Sequence, residues 1–346
     1  MEDHPSNYEM SLLRAILNGY TLNQKYYNCS DFSPVQMNEV KRPIMGYYFI
    51  VTGMTFVALY IPCIFALIKS ELMNTSCFKI MFCLSIFDIL SLFTNSLATG
   101  FYALNGASFC DYPKSMFTIG AMGLGSWMGG CLSCIMLAIN RCCDLNPNLK
   151  LKWIFVGKRV YIPLGIIISY GLYAIFLTKP IFFHSEHLSW FFNPGVNSNP
   201  SLYYNVAHTI NNCLVSFITT SLYIYLCVLL LLKSRFASSH SISKTQRQVF
   251  LQSIIMCSFH AAAAYIYVYM QYFYSPPIVI LIGHIAWQWS NGSVCIVYLT
   301  MNRIIRKAVY KMVVPLSYQT KMNSTVHTTT STKSMSFKRA LSIEHR

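Results

Sequence analysis

One carboxylate, three histidines and a helix-terminal arginine stand in or at the ends of long apolar stretches of this 346-residue chain, and their settings define the chemistry open to it. Asp88 is the only acidic residue well inside such a stretch. A carboxylate in hydrocarbon is costly, so it faces the interior of a helix bundle and meets a partner, an ion or water, or is held protonated. Ser91, Asn95 and Ser96 follow it on the same segment, so Asp88 and Asn95 read either as a buried polar or ion site or as a neutral structural carboxyl with polar neighbours. His208 and His284 lie near one mouth of the bundle, and His260 lies nearer mid-depth. Together with Asn211 and Trp289, the side chains of His208, Asn212, His284, Trp287 and Gln288 supply polar and aromatic walls, and these five are the expected lining of an outward-facing small-molecule pocket. Zinc is the rival use of histidine. Ligands at different depths meet one ion poorly, and no His-Glu-x-x-His pattern occurs, so neither a metal nor a cofactor is expected.

Arg141 closes the third apolar segment. It reads either as a snorkelling anchor or as a switch residue facing a partner on the cytosolic side. Of 13 cysteines only Cys29 and Cys110 fall in segments assigned to the outer, oxidising side, which predicts a bridge between them. Asn28-Cys29-Ser30 is a glycosylation sequon at Asn28, although a bridged Cys29 competes with its modification. Cys142 and Cys143 read equally as palmitoylation sites or as buried thiols.

The elements that must position these groups are membrane helices. The chain is 54% hydrophobic and 11% charged, against roughly 25% charged residues in soluble domains, which leaves too little polar material to coat a soluble domain of this size. Seven stretches reach the ~20 apolar residues that span a bilayer: 44–68, 78–101, 116–139, 161–178, 204–232, 249–273 and 277–301. The fourth is the weakest, being short and containing Pro163. No cleavable signal is visible ahead of the first stretch.

With the amino terminus outside, 20 of the 26 Lys and Arg residues fall on the cytosolic side, although Lys41 and Arg42 oppose this locally. The net charge of +15 is therefore a topology signal facing anionic lipid, and no nucleic-acid partner is expected. The expected organisation is an extracellular tail (1–43), the seven-helix bundle (44–301), an amphipathic membrane-surface helix (302–315) ended by Pro315, and a disordered, Ser/Thr-rich cytosolic tail (316–346). The tail reads as a plain linker or as a target of phosphorylation.

Certain motifs resemble those of G-protein-coupled receptors. Leu84-Ser85-Ile86-Phe87-Asp88 is similar to the Leu-x-x-x-Asp of rhodopsin-like second helices. Asn140-Arg141-Cys142 resembles Asp-Arg-Tyr with the acid replaced, and Tyr298 matches the tyrosine of Asn-Pro-x-x-Tyr without its Asn-Pro. The first helix lacks an Asn, the sixth lacks Trp-x-Pro, and the second outer loop lacks a Cys, which points to a divergent group.

The order of Tyr27-Asn28-Cys29-Ser30, Arg42-Pro43-Ile44-Met45-Gly46, Phe109-Cys110-Asp111-Tyr112-Pro113, Ala138-Ile139-Asn140-Arg141-Cys142-Cys143-Asp144 and Tyr298-Leu299-Thr300-Met301-Asn302-Arg303 resembles the nematode serpentine chemoreceptors, class T. That resemblance implies a non-enzymatic sensory receptor in the plasma membrane of sensory cilia, responding to an odorant-like small molecule and coupled to a heterotrimeric G protein. It also implies that Arg141 and Tyr298 belong to the switch. A channel or transporter of the same topology is the alternative; it would need a polar file through several helices and broken helix pairs, which are not evident. A seven-span metal hydrolase is disfavoured by the missing ligand pattern.

Overall fold

Long apolar runs become helices, even across the interior Pro62 of the first one, because in hydrocarbon each backbone N–H and C=O must be satisfied within its own segment. The computed structural model describes residues 6–30, 40–146, 148–196, 199–236 and 244–313, so the Ser/Thr-rich tail and Pro315 lie outside the described residues. A short helix α1 (Leu12–Leu17) precedes the first long helix, α2 (Pro43–Lys69). The second spanning segment runs from Ser76 to Asn105 as α3 (Ser76–Leu92), a π-helical stretch (Phe93–Ala98) and α4 (Thr99–Asn105). Then follow α5 (Pro113–Leu145), α6 (Tyr161–Leu177), α7 (Val206–Phe236), α8 (Lys244–Tyr272), α9 (Pro277–Met301) and α10 (Arg303–Val313). Among the described residues, six helical segments are long and apolar enough to cross a membrane. α9 is as long as they are, but its middle carries His284, Gln288, Ser290, Asn291 and Ser293, all buried, so its polarity is turned into the bundle. The chain is a multi-pass membrane protein.

α5 is the central post, packed against α3, α6, α7 and α8. Its glycines allow the close approaches that this demands. A Cβ on Gly125 would stand 2.7 Å from the Gly171 carbonyl of α6, and one on Gly120 would run into the backbone carbonyl of Ile181. α6 fully buries only Pro163, Ile167, Gly171 and Ala174, one stripe at helical spacing, flanked by the partly buried Leu164, Tyr170, Ile175 and Phe176. Pro163 does not break it because it lies in the first turn, where a backbone N–H has no partner within the helix. α10 begins where Asn302 Oδ1 accepts from the backbone N–H of Ile304 (3.1 Å) and Ile305 (3.0 Å), and Ile305 pins it to the bundle.

Two features of one end of the bundle differ from the sequence reading. Residues 6–30, expected as a simple tail, fold onto the bundle and bury Met10, Leu12, Ala15, Leu22, Tyr26 and Tyr27. Tyr27 is edge-on to Phe117, 5.1 Å between centroids, and a disulfide joins Cys29 to Cys110. The connection between α6 and α7, expected as a loop, forms an antiparallel hairpin of β1 (Phe182–His184) and β2 (Ser189–Phe191), with Phe183 opposite Trp190. Both features escape periodicity arguments because the strands are three residues long and α1 is six.

Phe182, Phe183 and Trp190 point inward, and Trp190 Nε1 donates to Thr99 Oγ1 at 2.8 Å. His184 holds the outer edge of the hairpin through an Nε2 contact of 2.6 Å with the Asn193 carbonyl. Burial pulls its pKa below the usual imidazole value of 6.5, opposed by the Asn193 carbonyl and Glu186, with His187 adding to the decrease. Because the folded pKa is depressed, the neutral ring stabilises the hairpin fully above pH ~6.5, and that stability is lost as pH falls through the folded value. Hydrogen exchange at 182–191 should therefore quicken as pH is lowered below neutrality, after correction for intrinsic rates, and His184→Gln should remove that dependence.

Candidate functional site

Beneath the hairpin lies a cavity of about 190 Å³ bounded by α5, the hairpin and α7–α9. Trp127 (α5), Trp190 and Phe191 (hairpin), Tyr267 (α8) and Trp287 (α9) make its aromatic wall, with His208 of α7 among them. Trp127 Nε1 donates to Asn212 Oδ1 at 2.9 Å, and Asn212 Nδ2 lies 3.1 Å from His208 Nε2. Asn212 thus stands behind the lining and fixes two of its side chains.

The structure does not bring the other two expected lining residues to this cavity. His284 Nε2 contacts the Asn95 backbone carbonyl at 3.0 Å, and Gln288 Nε2 donates to Thr52 Oγ1 (2.7 Å) and Ser96 Oγ (3.0 Å), so both tie α9 to the first two spans. Trp127, Tyr267 and the hairpin aromatics were absent from the expected lining. Trp127 left one usable signal, a tryptophan set among glycines on α5.

Below the cavity, Trp127 stacks on His260 with centroids 5.9 Å apart and planes at 9°. His260 Nε2 lies 3.6 Å from Asp88 Oδ1, and Tyr60 Oη donates to Asp88 Oδ2 at 2.8 Å while also lying 2.6 Å from the Asn291 carbonyl. Asp88 and His260 are fully buried. Three helices (α2, α3 and α8) thus meet at one carboxylate, α9 joins them through Tyr60, and an aromatic ring joins that centre to the cavity. Asn95 belongs to a separate cluster, with Oδ1 accepting from Ser96 Oγ at 3.0 Å and Nδ2 3.4 Å from the Trp287 carbonyl. Among the described residues no group of three His, Cys, Asp or Glu side chains is placed to hold a metal ion.

At the opposite end, Arg141 is buried. Its Nη1 lies 3.1 Å from Asp144 Oδ2, its Nη2 donates to Asn140 Oδ1 at 3.0 Å, and its guanidinium covers the Phe250 ring of α8 at 5.7 Å. Tyr298 donates to the Met81 carbonyl at 3.1 Å and lies 3.1 Å from Ser85 Oγ, clasping α9 to α3. Cys142 and Cys143 are both buried thiols. At the hairpin end, the partly buried Asn28 accepts from the Ser30 hydroxyl at 2.8 Å.

A helix bundle with a cavity under a hairpin at one end and a guarded arginine at the other has the fold of the rhodopsin-type seven-helix proteins. The crystal structure of squid rhodopsin matches with a TM-score of 0.59 at 12% identity, over 83% of this chain and 91% of that one. The profile described as serpentine type 7TM GPCR chemoreceptor Srt matches residues 10–322, and the chain belongs to that family. Serpentine receptor class T-55 of Caenorhabditis elegans is 27% identical over 292 residues, which is 82% of this chain and 79% of the relative. The class T resemblance of the sequence motifs is borne out.

Proposed function

We propose that this chemoreceptor binds a small molecule in the cavity beneath the hairpin and activates a heterotrimeric G protein at the opposite end. The observation that carries the reading is the Trp127–His260 stack, because the same indole that lines the cavity rests on the ring facing Asp88. A ligand that displaces Trp127 shifts α8 relative to α3. α8 also carries Phe250, which covers Arg141, so the movement uncovers the arginine for a partner. The ligand biases an equilibrium between closed and open arrangements by its differential affinity for them.

The hairpin end is assigned to the outside. The Lys and Arg bias supports this, as does the Cys29–Cys110 bridge, which suits an oxidising compartment. The family resemblance supports the plasma membrane of sensory cilia as the place of action. Asn28, on the same side, is the glycosylation candidate. His260 stands where a cation would otherwise balance Asp88, so the Asp88 centre is read as an internal polar hub; the Asn95 cluster is its neighbour along the same span.

Arg141→Ala should lower agonist-driven nucleotide exchange on the G protein by roughly tenfold or more, the equivalent of one charged contact, while ligand affinity in the receptor alone stays within about twofold. Unchanged exchange would remove Arg141 from the switch. A ligand-evoked current in membranes lacking G protein would instead favour the channel reading.

A further inference from the structure

We infer that the cavity is built for a neutral, hydrogen-bond-accepting molecule of one aromatic ring and a short side group (an aryl ketone, aldehyde or ester), with its acceptor oxygen met by Trp287 and His208. The inference rests on reading this cavity as the ligand site and names what that site takes. Three observations carry it: an unanswered donor, the tautomer of His208, and the size and neutrality of the walls.

Trp287 is 3% exposed, lines the cavity, and its indole Nε1–H has no hydrogen-bond partner. The Nε1 atom has no open surface on the cavity as it stands, so a ligand oxygen meets it through a small turn of the indole, and the contact recovers the cost of a buried donor left unmet. The second donor follows from a chain of fixed roles. An indole N–H only donates, so Trp127 Nε1 makes Asn212 Oδ1 the acceptor and turns Asn212 Nδ2 toward His208 Nε2. Nε2 must then accept, which places the proton on Nδ1 and keeps the ring neutral. His208 therefore brings a neutral N–H to the wall. Gln271, partly exposed at the edge, has its amide N–H engaged with Thr209 Oγ1 at 2.6 Å.

Among the described residues no Asp, Glu, Lys or Arg lines the cavity. An anion finds no cation there. A cation finds aromatic faces that would attract it, but also two N–H donors and no carboxylate to neutralise it. Size narrows the class further. An apolar cavity of about 150 Å³ holds a benzene, so one of about 190 Å³ admits a ring with a few further heavy atoms. Trp127, Trp190 and Tyr267 offer the faces and edges against which such a ring stacks.

The test uses the full-length receptor in lipid nanodiscs without G protein, with acetophenone, ethylbenzene, benzoate and phenyltrimethylammonium as probes and quenching of tryptophan fluorescence as the readout. Acetophenone should bind about tenfold more tightly than its hydrocarbon shape-mate ethylbenzene, the worth of one well-made hydrogen bond, and the two ions more weakly than either. Trp287→Phe should bring the acetophenone-to-ethylbenzene ratio close to one while ethylbenzene still binds, which reports an intact pocket. If Trp287→Phe loses ethylbenzene binding, His208→Leu is read for the same collapse of the ratio. Equal binding of ketone and hydrocarbon, a ratio unchanged in both variants, tighter binding of either ion, or no binding of any probe overturns the inference. Acetophenone binding with no nucleotide exchange would sink the receptor reading and leave the ligand class standing. Exchange driven by phenyltrimethylammonium, with acetophenone inert, would do the reverse.

Discussion

Asp88→Ala is expected to destabilise the folded receptor by about 3–5 kcal/mol, the cost typical of removing one partner from a buried ion pair. The carboxylate is the meeting point of three helices, with Tyr60 donating to Oδ2 at 2.8 Å and His260 Nε2 3.6 Å from Oδ1. Alanine leaves Tyr60 Oη only the Asn291 carbonyl at 2.6 Å and strands His260 Nε2, which has no hydrogen bond to fall back on. Asp88→Asn should cost less, because its amide oxygen still accepts from Tyr60 and only the face toward His260 changes. The decisive measurement is a double-mutant cycle of Asp88→Asn with His260→Phe, read by thermal unfolding in detergent. A coupling above about 1 kcal/mol is expected for side chains in one network. Additivity within ~0.5 kcal/mol would mean that the two groups are neighbours without a shared role. Signalling should follow stability only in part. His260→Phe keeps a ring under Trp127 and so preserves ligand binding, while it disconnects the cavity from Asp88.

What the sequence made legible here, and what it hid, follows from the physics of helices in lipid. The spans could be read because hydrocarbon demands about 20 apolar residues of each. α9 was still legible from its apolar ends although its centre is polar. The depth of a residue could be read in the same way, since rise along a helix is fixed. Azimuth could not. Gln288 follows Trp287 directly but lies about 100° round the helix, so it meets Thr52 and Ser96 while Trp287 meets the cavity. His284 shares the mouth-side depth of the cavity yet turns to the Asn95 carbonyl.

Asn212 sits one turn after His208 on the same face, and so reaches the second layer, where it supports the lining. The pairing of Asp88 with His260 left no trace, because α3 and α8 are brought together by how each packs on α5 and α9. Cys29 and Cys110 were legible for a different reason. Compartment chemistry reduces many cysteines to two, and no knowledge of packing was needed. The hairpin stayed hidden because three-residue strands carry no period to detect.

Cys29→Ser is expected to lower stability by about 2 kcal/mol, near the bottom of the usual range for a lost disulfide. The bridge closes a sequence separation of 81 residues, for which the loop-entropy argument alone gives well over 4 kcal/mol in a chain free to wander. This chain is not free. The loop contains α2 and the segment Ser76–Asn105, two membrane spans that stay inserted when the tertiary packing is lost, so the unfolded ensemble has less freedom for the cross-link to remove. The larger effect should be local. Tyr27, two residues before the bridge, packs on Phe117 and on Phe182 of the hairpin, and Tyr203 Oη donates to the Tyr26 carbonyl. Releasing Cys29 lets residues 6–30 peel away and uncovers the roof of the cavity. Protease cleavage within 6–30 should then rise by an order of magnitude or more, and ligand affinity should fall with it. Cys110→Ser should reproduce both effects, and the double variant should add nothing to either single one, because the same bond is missing in all three. Unchanged melting together with unchanged proteolysis in both single variants would show that the aromatic packing of Tyr26 and Tyr27 holds the amino-terminal segment without the bridge.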